Sequence, residues 1–224
     1  MVKTVDRPKE QEIIASFLEL VGTHYGDFSA INRISRALND VDTLQDIMTS
    51  LSQTSQGREA FANRPLLGKV DLQQLHQLPN HTLGYSYAEH MISNGLVPLP
   101  ITEGDVTNPL VFLSVHVAET HDIWHVVTGC DTDKPGEVQL EAFCVAQLTP
   151  DRLFLSLLAK NLLKTAMYDI ELSEQIMDGL TQGWMMGKRA KSLFGIQWNQ
   201  LWNTPLEKVR ESLLIAPISL NVIG

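Results

Sequence analysis

Residues 108–137 read NPLVFLSVHVAETHDIWHVVTGCDTDKPGE, and the fold class turns on this stretch. Asn108 followed by Pro109 is a helix start, with asparagine as cap and proline in the first turn, where its missing N–H is not needed. Apolar periodicity runs from there to Thr128, and Gly129 supplies a stop. Asp131-Thr132-Asp133-Lys134-Pro135-Gly136 is a polar turn. A second helix is predicted from about Glu137 to Leu148. So tight a return makes the two helices antiparallel neighbours.

The same stretch carries chemistry. His121 and His125 are four apart and share a helix face; Asp122 borders it. Eleven residues separate His125 from Glu137, which returns on the next helix towards the end of the first. Two imidazoles and two carboxylates suit one divalent cation. At 100° per residue, Ser114, Val117, Ala118, His125 and Thr128 fall within about 60° of His121. This small, mostly apolar face is expected to point into the bundle, where two histidines and an aspartate are costly unless paired or metal-bound. His116 falls on the opposite face and is not counted as a ligand. Glu141, one turn after Glu137, is the reserve ligand or an outer hydrogen-bond acceptor. A His-x-x-x-His pair by itself also occurs on solvated helices; the added Asp122 and the Gly136-Glu137 step favour a metal.

Composition narrows the class. The 224 residues are 44% hydrophobic but only 7% aromatic, so leucine, alanine and methionine carry much of the core, a bias towards helix. A net charge of −9 repels polyphosphates, which argues against nucleic acid. Cys130 and Cys144 give no disulfide framework, fit a reducing compartment and read as small buried hydrophobes. No apolar run of about 18 residues is present, so no transmembrane helix is expected. Met1 to Glu12 mixes both signs of charge and resembles neither a signal nor a transit peptide, so the expected location is cytoplasmic.

Outside this stretch the chain again reads as helices: Pro8–Val21, Phe28–Leu38, Asp42–Ser52, a short one from Ser55 or Gln56, a turn in Asp71–Leu78, and Leu83–Ser93. The loop Pro98–Asp105 is the best candidate for a subregion boundary, although no separate domains are assigned. Thr149 is predicted to cap a leucine-rich helix reaching about Ile170, which includes Leu153, Leu158 and Leu163. Its apolar circumference points to deep burial or lipid contact. The next helix, Ser173 to about Leu193, stacks Gly179, Gly183 and Gly187 on one face. That face serves either close helix packing or a channel wall for a long, thin apolar ligand. Lys188, Arg189 and Lys191 complement a helix C-terminus or contact an anionic head group. Thr204-Pro205-Leu206-Glu207 reads as a cap for a final helix to about Leu214. The expectation is thus an all-α, single-domain multi-helix bundle with a buried metal site. An apolar tunnel would have Leu158 on one wall, the three glycines on another, and Lys188 or Arg189 near its polar end.

The His-Asp-x-x-His motif, the eleven-residue gap and Gly136-Glu137 resemble the ubiquinone (coenzyme Q) biosynthesis protein 4 family. Leu78-Pro79, Thr82-Leu83-Gly84, Trp184, Gly187, Trp202 and Arg210 agree. The resemblance implies an all-helical protein holding a divalent metal, usually zinc with magnesium, iron or manganese as alternatives, through His121, Asp122, His125 and Glu137. It further implies a polyprenylated ring precursor as ligand and association with other quinone-biosynthesis proteins at a membrane surface, peripheral on its inner face. A homodimer is kept open. The linked activity is removal of the ring carboxyl group coupled to hydroxylation of the same carbon; the competing view is a non-catalytic lipid-binding scaffold. This chain has Val117-Ala118-Glu119-Thr120 where the family commonly carries basic residues, so no head-group contact is assigned there. A metal-dependent phosphohydrolase is the remaining alternative, with His81 and His90 as available distant ligands.

Overall fold

The computed structural model describes residues 7–23, 28–99, 101, 106 and 108–216. Eleven α-helices lie among them: α1 (Arg7–Gly22), α2 (Phe28–Leu38), α3 (Val41–Leu51), α4 (Ser55–Asn63), α5 (Leu72–Leu75), α6 (Leu83–Ser93), α7 (Pro109–Thr128), α8 (Lys134–Gln147), α9 (Arg152–Tyr168), α10 (Ser173–Arg189) and α11 (Leu206–Leu213). The only extended pairing among these residues is the single bridge Thr82–Pro205, so the fold is all-α as expected. The loop proposed as a boundary, 98–105, lies largely outside the described residues.

Side-chain caps set most helix starts. Asp40, Thr54, Asp71, Thr82, Asn108, Asp133 and Asp151 each accept a hydrogen bond from a first-turn N–H. Two expected caps fail. The threonine at 149 bonds back to the Val145 carbonyl, and Asp151 takes both first-turn donors of α9. Thr204 does not cap α11 either: Pro205 takes the cap position with no side-chain bond, and the preceding backbone pairs with the start of α6, Thr204 O accepting from Leu83 N and Trp202 O from Gly84 N. That approach explains Gly84: a Cβ there would lie 2.9 Å from Trp202 O. The second helix of the motif starts earlier than predicted, since Asp133 accepts from Gly136 N and draws Pro135 into the first turn.

One helix organises the core. Phe112, Leu113, Ile123, Trp124 and Val127 of α7 are buried in a cluster reaching from Leu20 to Ile215. Around α7 stand α3, α4, α6, α8 and α11. The ligand-bearing face departs from the expectation. Ser114 and Ala118 are exposed, His121 is partly buried, and only His125 and Thr128 are fully covered. The opposite face, with Phe112, His116 and Ile123, makes the core. The ligand face therefore emerges from the bundle as a rim.

The glycine face of α10 is helix packing, which corrects the tunnel reading. A Cβ on Gly179 would lie 2.9 Å from Pro135 O, one on Gly183 1.9 Å from Gln139 O, and one on Gly187 2.8 Å from Phe143 O. These carbonyls are also four residues apart, so α8 and α10 run parallel with their backbones nearly touching. No wall is left for a ligand. Leu158 likewise packs inside, with Val138, Ala142 and Ile176. The leucine-rich helix is only half buried: Leu155 is 55% exposed, while Lys160, Asn161 and Thr165 lie on its buried side.

Replacing Gly183 with alanine should lower stability by about 1–3 kcal/mol through overpacking, despite the ~1 kcal/mol an alanine ordinarily adds within a helix. Urea unfolding measures it; an unchanged or raised midpoint would mean that the two backbones can part without cost.

Candidate metal centre

The centre is assembled where α7 ends. Gly129 adopts a positive φ of 75° and caps α7, its N–H donating to His125 O. An L side chain there would be strained, so glycine is required for the reversal. The reversed chain presents the Cys130 carbonyl to His125 Nδ1 at 3.0 Å. Nδ1 must carry the proton to donate to a carbonyl, so Nε2 keeps its lone pair. Nε2 faces Glu137 Oε1 at 3.6 Å. The His121 ring stands edge-on to His125 with 4.9 Å between centroids. One donor atom each from His121, His125 and Glu137 converges to within 4.8 Å of the others.

Asp122 does not join this convergence. Its Oδ1 lies 3.7 Å from His121 Nδ1. Adjacent helix residues point about 100° apart, so Asp122 looks towards α6, where its charge acts on His90 and Tyr87. Glu141 is not a ligand here: 6% exposed, it takes hydrogen bonds at 2.8 Å from Asn161 Nδ2 to both its oxygens. Lys188 and Arg189 are exposed at the end of α10, Lys188 over the Trp184 ring. The Cys130 and Cys144 thiols are both raised by burial, Cys130 to about 12, so neither offers a thiolate.

The donor set fits a divalent ion. Burial holds the His125 imidazole down at about 4, so it is neutral and ligand-ready at neutral pH. Burial raises Glu137, opposed by the nearby His121 and by Lys160. The Asp122 carboxyl is also buried, but His121 outweighs that and holds it below the usual range.

Three contributors were not selected by sequence. His90 of α6 stacks on His125 at 5.6 Å, and its Nε2 is buried without a hydrogen-bond partner. Lys160 and Asn161 arrive from α9. A lysine and an asparagine inside a leucine-rich helix were the available signal; His90, on a different helix, gave none. His116, correctly left out, bonds through Nδ1 to Glu119 and accepts from Gly195 N at Nε2. Glu119 also accepts from Leu67 N, so the acidic residue just before the motif belongs to a buried staple.

Fold and site define an all-helical protein with a two-histidine, carboxylate centre. The chain belongs to the coenzyme Q (ubiquinone) biosynthesis protein Coq4 family, whose model matches residues 10–219. It is 27% identical to the mouse mitochondrial ubiquinone biosynthesis protein COQ4 homolog over 188 residues, 81% of this chain and 69% of that one. It is 24% identical to the mitochondrial COQ4 protein of Pyricularia oryzae over 220 residues, covering 94% and 64%. A crystal structure from Nostoc punctiforme, provisionally named a ubiquinone biosynthesis protein, superposes with a TM-score of 0.80 at 26% identity, covering 91% of this chain and 97% of that one.

The His125 environment fixes a pH dependence for the metal-free protein. The unfolded imidazole takes its proton near 6.5 and the folded one near 4, so the unfolded state binds protons first as pH falls. This contribution is complete above about 6.5, declines through the window and levels near 4, by up to about 3 kcal/mol. Melting curves between pH 7.5 and 4.5 should show a steeper loss for wild type than for His125→Gln; parallel losses would contradict the buried neutral imidazole.

Proposed function

We propose that this chain acts in quinone biosynthesis by binding a polyprenylated aromatic precursor beside a divalent metal. His121, His125 and Glu137 would hold the ion, and Asp122, beside His121, stands outside the converging set. The carrying observation is the convergence of three donor atoms at the rim of α7. A structural site is closed by protein ligands, whereas a catalytic one keeps a position for substrate. Three converging donors on a half-exposed face favour the catalytic arrangement over the scaffold. An open polar depression of about 420 Å³ adjoins His125, lined among others by Ser86, Glu89, His90, Asn94 and Asp131, with room for a ring head group.

An ion held there, with zinc first and magnesium, iron or manganese as alternatives, would supply stabilisation of negative charge on a phenol or carboxylate oxygen. The chain's own residues hold and orient. His125 stays neutral because it is buried, its bond to Cys130 O fixes the tautomer that leaves Nε2 free, and Glu137 is fixed by the seam between α8 and α10. The reaction class is removal of the ring carboxyl group as carbon dioxide coupled to hydroxylation of that carbon, a two-electron oxidation that takes its oxygen from an oxidant of the dioxygen class supplied from outside the chain. With the glycine face closed, the prenyl tail is assigned to surface contact. Met167, Tyr168, Ile170 and Met177 of α9, α10 and their connection are all more than half exposed. No helix among the described residues is long and apolar enough to cross a membrane, so contact with its inner face is peripheral. Other quinone-biosynthesis proteins and a second copy of the chain are the partners this reading names. A phosphohydrolase is disfavoured, because His81 is exposed and neither it nor His90 is among the converging donors.

Elemental analysis of the purified protein should find about one divalent ion per chain, reduced severalfold in His121→Ala. Full occupancy in that variant would overturn the ligand assignment. Solvent extraction with mass spectrometry should recover a prenylated aromatic compound from the wild type.

A further inference from the structure

The depression beside His125 carries a permanent positive charge. Among the described residues that line it, Arg210 is the only lysine or arginine. A guanidinium stays charged at any working pH. Glu89 and Asp131 also line the depression, but the Glu89 carboxylate faces His76 Nε2 at 2.6 Å, and His76 is not part of the lining. Tyr85, Val126 and Leu206 add apolar surface on which a ring face can lie. Arg210 reaches this place from α11 and is half committed to the fold. Its Nε donates to Val127 O and its Nη2 to Val126 O, both at 2.9 Å, so one edge of the planar fork grips the end of α7.

The other edge, Nη1 with Nη2, is not committed in that way. A guanidinium has five N–H donors. Besides the two on α7, one on Nη1 goes to Glu207 Oε1 at 2.6 Å, and the remaining two have no protein partner among the described residues. Neighbouring N–H groups on Nη1 and Nη2 are the arrangement that receives both oxygens of a carboxylate. Glu207 is a weak rival for them, because its side chain is 74% exposed and ion pairs in water contribute little. We propose that Arg210 is the carboxylate subsite of the depression and that Glu207 competes with the ligand for it. A ring acid then lies with its carboxyl group turned to α11, which leaves its phenol oxygen for the ion. This inference rests on the reading of the depression as the ring site.

The test uses the full chain loaded with zinc and titrated calorimetrically with two probes. One is 3-dimethylallyl-4-hydroxybenzoate; the other is 2-dimethylallylphenol, the same ring without its carboxyl group. Wild type should bind the acid about tenfold more tightly than the phenol, because only the acid makes the charge-assisted fork. Glu207→Gln should tighten the acid about threefold and leave the phenol unchanged, and at so exposed a position it does not endanger the fold. Glu211→Gln, which removes the same charge from the exposed residue after Arg210, should alter neither probe. Arg210→Gln should erase the difference between the probes, while any loosening at the end of α7 weakens both alike. No gain in Glu207→Gln, or an equal gain in Glu211→Gln, overturns the subsite. A preference for the acid that survives in Arg210→Gln gives the carboxyl group to the ion and overturns it too. Those outcomes leave the ring site standing. If wild type binds neither probe, the reading of the depression fails and this inference fails with it.

Discussion

The hydrogen bond from His125 Nδ1 to the Cys130 carbonyl is the interaction on which the centre depends. It links the last turn of α7 to the loop that reverses the chain. It exists because Gly129 can take a positive φ, which turns the next carbonyl back onto the helix. The same bond decides which ring nitrogen is protonated, and so directs the free lone pair at Glu137. Loop conformation, tautomer and ligand geometry are therefore one constraint.

Two further constraints keep that turn in place. From one side, Arg210 of α11 donates to the Val126 and Val127 carbonyls, satisfying acceptors that a helix end otherwise leaves open. From the other, the carbonyls of Pro135, Gln139 and Phe143 on α8 press against the three glycines of α10. Such close approach lets dispersion act between backbones and gives α8 little freedom to slide. Glu137, in the first turn of α8, inherits that rigidity. The buried staple of His116, Glu119, Leu67 N and Gly195 N anchors α7 on its far side.

The polar groups under the site set function against stability. Lys160, Glu141 and Asn161 occupy positions where apolar side chains would fold as well, and an asparagine oxygen is left without a partner. The cluster stands at the rim of the bundle, so the face of α7 that carries it is left partly uncovered.

What the sequence determined by itself was local. Phe28–Leu38 and Leu83–Ser93 form as helices with the bounds read from apolar periodicity, and Pro109–Thr128 with those read from its cap and stop, because these signals are local. The set of His121, His125 and Glu137 was equally legible, since a four-residue spacing and a short return leave little choice of geometry. Tertiary structure decided the rest. Thr149 and Thr204 look like caps, but a competing aspartate and a pairing with the start of α6 redirect them. The glycine stripe was compatible with a groove until α8 filled it. His90, Lys160 and Asn161 reach the site only because α6 and α9 pack around α7 and α8, and no spacing along the chain records which distant helices become neighbours.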